Sequence, residues 1–205
     1  MTLLDPPHPD FPAGMADWGF ERLTVLGNHE LLRQPLVGVV SSRQCPAGLI
    51  LAAHDWAKTA REQNLALVGG FHTHFGSIVH FDKPKRYYRN AFLLPLVGLN
   101  PSPLTAAGGE GFKRKRYHSP VEQEVLRLST DLKKALEAGR LLLVSPFGVG
   151  VRRADSQRAE RRNRLVVGLA SRVLVIHAAP GSATERLVRE IKALGKQMEE
   201  LEALS

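Results

Sequence analysis

An α/β fold built on a mainly parallel sheet, with helices on both faces, is predicted by two observations. Short unbroken apolar runs rich in β-branched residues alternate along the chain with segments of helical spacing, and the runs lack the apolar–polar alternation of a sheet with one wet face. The length agrees, since 205 residues suit one such domain with modest extensions. A hydrophobic fraction of 43% is enough to build a core.

Taken in order, residues 1–20 are Pro-rich and read as an extended lead-in with little order of its own. Residues 35–40, Pro-Leu-Val-Gly-Val-Val, form the first predicted strand and run into the polar turn Ser41, Ser42, Arg43. Ile50, Ala53, Ala57 and Ala60 recur at helical spacing within residues 47–63. Residues 65–70 give a second strand ending in Gly69 and Gly70, and Phe92 to Val97 a third that Pro95 keeps short or bulged. Residues 98–111 read as loop.

Ser119, Pro120 and Glu122 have the form of a capping box, and an apolar stripe through Val121, Val125, Leu128, Leu132 and Leu136 closes at Gly139. Residues 141–144 are a strand, residues 156–170 an Arg-rich segment helical in its second half, and residues 172–176 the last strand. A helix from about Ala183 is expected to run to the end, with 197–205 as a helical extension of a Rossmann-like domain spanning 21–196. Its stripe of Leu187, Ile191, Leu194, Met198 and Leu201 reads either as docking on the protein's own sheet or as pairing with a second copy in a homodimer, the tail beyond Lys196 favouring the second.

The formal charge of +8, from 28 Lys+Arg against 20 Asp+Glu, favours a polyanionic partner. Three clusters carry it: Lys83, Lys85, Arg86 and Arg89; Lys113, Arg114, Lys115 and Arg116; and the arginines between 152 and 164. The first two have tyrosines beside them, the mixture of cation and ring found in single-strand grooves, and are taken as a secondary basic track; each also reads as a solvated turn. No run of about 18 apolar residues suggests a membrane span, and the N-terminus lacks the pattern of a secretion leader. With one cysteine, Cys45, no internal disulfide can form. A cytoplasmic protein without a membrane partner is expected.

In parallel sheets ligands bind at the carboxyl ends of the strands, which selects three turns: Ser42 with Arg43, Gly69 with Gly70, and the 179–184 loop with Gly181, Ser182 and Thr184. Each offers small residues whose N–H groups can approach a phosphate, and each also reads simply as a helix cap. Arg162, Asn163 and Arg164 lie where a dense cationic run merges into a small apolar helix, an arrangement that repels itself unless an anion or carboxylates compensate. His72, His74 and His80 offer imidazoles without a carboxylate or cysteine at ligand spacing, so neither a metal nor a cofactor is expected.

Residues 35–43, 68–70 and 162–176 resemble the core of the DNA-processing protein A (DprA/Smf) family, with its G-S-R turn and R-N-R-I-I-x-G-L-S segment. The resemblance covers roughly 22–195 and implies binding of single-stranded DNA and loading of RecA in DNA recombination, with Ser42, Arg43, Gly69, Gly70, Arg162 and Arg164 lining a phosphate pocket. The chain departs from the family pattern at Ser41, where the family has glycine, and at residues 71–76, which lack the aspartate of the G-I-D loop. The family's final strand and its accessory domains are expected to be missing. Residues 180–185 also resemble the P-G-G-x-G-T-x-x-E motif of LOG-like nucleotide phosphoribohydrolases, which would make Glu185 catalytic in an alternative, enzymatic reading. A third reading is a nucleotide-sensing subunit of a larger complex.

Overall fold

The structure, a computed structural model, describes residues 2–70, 92–95, 130–147 and 156–202. These residues include eight strands: β1 (Thr2–Leu4), β2 (Leu23–Gly27), β3 (Leu36–Ser41), β4 (Ala66–Gly69), β5 (Phe92–Pro95), β6 (Leu141–Ser145), β7 (Arg172–His177) and β8 (Met198–Glu200). Among the described residues four helices accompany them: α1 (Ala47–Glu62), α2 (Thr130–Glu137), α3 (Ser156–Leu169) and α4 (Ala183–Ala193). Two 3-10 turns occupy Met15–Trp18 and His29–Arg33.

All eight strands join one sheet in the order β1-β2-β6-β5-β4-β3-β7-β8. The pairings from β6 across to β8 are parallel, and β2 runs antiparallel to both β6 and β1. This is the predicted α/β, Rossmann-like, mainly parallel architecture. Side chains two apart on a strand share a face, and the buried residues divide accordingly. Val68, Leu142, Val144, Val173 and Val175 pack on one face with Leu165 and Val166 of α3 and Leu187 and Ile191 of α4. Leu67, Leu141, Leu143, Leu174 and Ile176 pack on the other with Ala53 and Ala60 of α1 and Ala135 of α2. Both faces are covered, so the strands read as continuous apolar runs.

The turn expected at Gly139 is present, with φ +69 and its N–H donating to the carbonyl of Leu136. The capping box at 119–122 lies outside the described residues. Strand β5 includes Pro95, which pairs with Val144 of β6, while its ladder to β4 joins Phe92 and Leu93; residues 96 and 97 of the expected strand lie outside the described residues.

Three expectations are corrected. The lead-in is ordered: β1 pairs with β2 and adds an edge, and Leu4, Met15, Trp18 and Phe20 are buried in the core. The prolines that suggested disorder only interrupt secondary structure, while the apolar residues between them find a shared surface. The Arg-rich segment is helical throughout its described length from Ser156, not just in its second half. At the C-terminus the helix stops at Ala193, the chain turns at Gly195 with φ +63, and residues 198–200 form the edge strand β8 alongside β7, where a helix was expected. The apolar stripe is therefore divided. Leu187 and Ile191 dock on the molecule's own sheet, while Met198 and Leu201 follow the strand, so a strand replaces the expected helical extension and the stripe forms no continuous helical seam. Among the described residues no helix is long and apolar enough to cross a membrane.

Candidate functional site

Strands β3, β4 and β7 are neighbours and parallel, so the turns after them open at the same edge of the sheet. At the end of β3 the ladder to β7 slips, Val40 facing Val175 and Ser41 facing His177. Such a bulge bends the strand end and re-aims the next residues. Here it leads into Ser42, whose N–H donates to the carbonyl of His177 at 2.8 Å.

The buried Ser42 hydroxyl joins this turn to the 179–184 loop. Its Oγ accepts the N–H of Ala179 at 2.9 Å and lies 2.9 Å from Oγ of Ser182. Ser182 is the N-cap of α4, accepting the N–H of Glu185 at 3.1 Å, and the Glu185 carboxylate in turn accepts the N–H of Gly181 at 2.9 Å. Gly181 sits at φ +72, where a β-carbon is strained. The hydroxyls expected to meet phosphate thus hold two strand-end turns together and cap a helix. Thr184 is buried in the first turn of α4, away from solvent.

Arg162 completes the edge from α3. Its side chain is only 6% exposed and lies against Gly70 so closely that a β-carbon there would be 3.0 Å from Nε. Nε and one terminal nitrogen both donate to Oδ1 of Asn163, at 3.2 and 2.9 Å. Among the described residues no carboxylate pairs with Arg162 or with the exposed Arg43. Burial, and then the positive charge of Arg43, bring the Arg162 guanidinium down to about 10, so it stays charged at neutral pH. Two cations face one another at a glycine-lined strand end, one of them stripped of most of its water.

Arg161 and Arg164 point elsewhere, because each helical residue turns the side chain by about 100°, and Arg152 and Arg153 lie outside the described residues. Arg161 donates to the carbonyl of Gly19 at 3.1 Å and lies 4.9 Å above the Phe20 ring, tying the N-terminal segment to α3. Arg164, expected beside Arg162, instead pairs with Glu190 of α4 at 2.5 Å, and its Nε is buried without a hydrogen-bond partner among the described residues. Arg186 and Arg189 pair with Glu160 and Glu185.

The structure therefore gathers Ser42, Arg43, Gly69, Gly70, Arg162, Gly181 and Ser182 at one sheet edge, with Asn163 on the Arg162 guanidinium, and directs Arg164 and Thr184 away. Glu185, the catalytic candidate of the enzymatic reading, is occupied as a cap by the Gly181 N–H. His72, His74, His80, Lys85, Arg86, Arg89 and Lys113 to Arg116 lie outside the described residues. Among the described residues no group of three His, Cys, Asp or Glu is arranged to hold a metal.

One cluster went unread in the sequence. Buried Asp10 is held by Nδ1 of His29 at 2.5 Å and by Arg33 at 2.5 Å, with His8 packed edge-on to His29. It pins the N-terminal segment to the second 3-10 turn. No spacing signals it, since its members come from two separate turns.

No protein-family model matches the chain, and no curated protein matches it in sequence. Its fold does match solved structures. DNA processing protein A (DprA) from Streptococcus pneumoniae is similar with a TM-score of 0.64 over 97% of this chain, at 16% identity. DNA processing protein A from Helicobacter pylori, whose structure is described for that protein's single-stranded DNA binding mode, is similar with a TM-score of 0.59 over 97% of this chain, at 17% identity. The chain spans 62% of the length of the first and 79% of the second. The structural neighbours thus carry the same Rossmann-like fold that residues 35–43, 68–70 and 162–176 suggested.

Proposed function

We propose that this chain binds single-stranded DNA through its phosphates at the carboxyl edge of β3, β4 and β7, as part of DNA processing or recombination. The observation that carries the reading is Arg162: a buried guanidinium against Gly70, facing Arg43, with no carboxylate partner among the described residues. A buried charge without a counter-ion is costly, and a bound phosphate repays that cost with charge-assisted hydrogen bonds. Gly181, with open space where a side chain would stand, lets the backbone approach a ligand closely. The shared fold with two DNA processing proteins, one of them described as binding single-stranded DNA, supports the same ligand here. The basic clusters at 85–89 and 113–116 would extend the track along the strand.

The phosphoribohydrolase alternative has less support, because the Glu185 carboxylate is engaged as a cap. Titrating a labelled oligo-dT by fluorescence anisotropy at several salt concentrations tests the proposal. Affinity should fall as salt rises, by about 0.7 log units per log unit of salt for each phosphate neutralised on a single strand. Arg162→Gln should weaken binding by about tenfold or more, the scale of a lost charge-assisted hydrogen bond of ~1.5–3 kcal/mol. Salt-insensitive affinity, or full affinity in Arg162→Gln, would sink it.

A further inference from the structure

Resting on that reading of the site, we infer that Asn163 is a neutral placeholder for phosphate on Arg162. Nε and a terminal nitrogen of Arg162 form the edge of the guanidinium that grips oxyanions in a fork. In the structure that edge is filled by a single oxygen, Oδ1 of Asn163, at 3.2 and 2.9 Å. One amide oxygen is shared between two donors that two phosphate oxygens would satisfy separately.

The chemistry of the side chain at 163 is what makes the arrangement reversible. An amide oxygen meets the hydrogen-bonding need of a buried donor pair, whose desolvation would otherwise go unanswered. It brings no charge, so the cation remains uncompensated. An aspartate at the same place would form an internal bidentate ion pair and close the site. Asn163 thus answers the buried donors of Arg162 while the site is empty and gives up the donor edge when an anion arrives.

The test compares Asn163→Asp, Asn163→Ala and Arg162→Gln for oligo-dT affinity and its salt dependence, with thermal melts to confirm that each variant is folded. The internal ion pair of Asn163→Asp should weaken binding by about tenfold and make the salt slope shallower by about 0.7, the contribution of one phosphate contact. Asn163→Ala should bind as tightly as the natural protein or tighter, because nothing then competes for the donor edge. If Asn163→Ala loses affinity as Arg162→Gln does while melting normally, Asn163 holds DNA directly and the placeholder role is wrong. Wild-type affinity and slope in Asn163→Asp would overturn it equally. Full binding by Arg162→Gln would instead remove the DNA site itself, a separately readable failure.

Discussion

Alanine at position 70 would set a methyl carbon 3.0 Å from Nε and 3.3 Å from the central carbon of the Arg162 guanidinium. That contact is too tight to keep, and the side chain, having a flexible stem, must swing away. Gly70→Ala should therefore reduce oligonucleotide affinity while changing the thermal midpoint little, since the three atoms nearest the new methyl all belong to the flexible Arg162 side chain. Equal loss of stability and binding would show that Gly70 serves packing instead. Asp10 is the second residue whose behaviour follows from its surroundings. Burial pushes its carboxyl up, but hydrogen bonds from His29 and Arg33 and their positive charge outweigh this and hold it below its ordinary value of 3.8. A depressed native value means that the stabilisation is present above the unfolded value and is lost as pH falls through the native one. Acid unfolding followed by circular dichroism should show stability declining below about pH 4, and Asp10→Asn should flatten that part of the curve.

At the scale of elements, α3 distributes one cationic run among three tasks. Arg161 holds the N-terminal segment, Arg162 faces the sheet edge, and Arg164 pairs with α4. Two residues on from Arg164's position, Val166 and then Val167 return to the core, and Gly168 leaves room for the Trp18 ring, whose atoms would stand 3.1 Å from a β-carbon there. The segment before β2 is therefore keyed into the helix that carries the site. Trp18→Ala should destabilise the protein by about 3–5 kcal/mol, the range for emptying a buried aromatic site, read by chemical denaturation. A negligible loss would restore the reading of residues 1–20 as a loose lead-in. That reading arose because prolines and short apolar islands carry no period, and burial in this segment depends on partners far along the chain.

At the scale of the molecule, a formal charge of +8 does not make every cation available. Arg164, Arg186 and Arg189 are paired with Glu190, Glu160 and Glu185 across or along α3 and α4. Among the described residues, Arg43 and Arg162 at the strand-end edge are left without a carboxylate partner. Arg164→Gln should leave the salt slope of oligonucleotide binding unchanged, whereas Arg162→Gln should make it shallower by about 0.7. A shallower slope in both variants would mean that the whole arginine run contacts DNA. The sheet itself ends at β8 on one side, a three-residue strand whose two glutamates blunt an exposed edge.

By itself the sequence determined the alternation of strands and helices, the α/β class, the three glycine- and serine-bearing turns and the concentration of arginine before residues 162–176. These are local: period, propensity and turn chemistry act over a few residues, and β3, β4, β6, β7, α1 and the start of α4 were legible for that reason. Only the tertiary structure decided that Arg162 and Arg164 part company, that Ser42 and Ser182 join two turns, that Glu185 is a cap, and that the last apolar residues form an edge strand. Each of those outcomes depends on which distant segment lies opposite a side chain. A helix rotating by about 100° per residue sends two arginines of one motif to different neighbours, and no spacing in the sequence says which neighbour is a carboxylate and which is an open sheet edge.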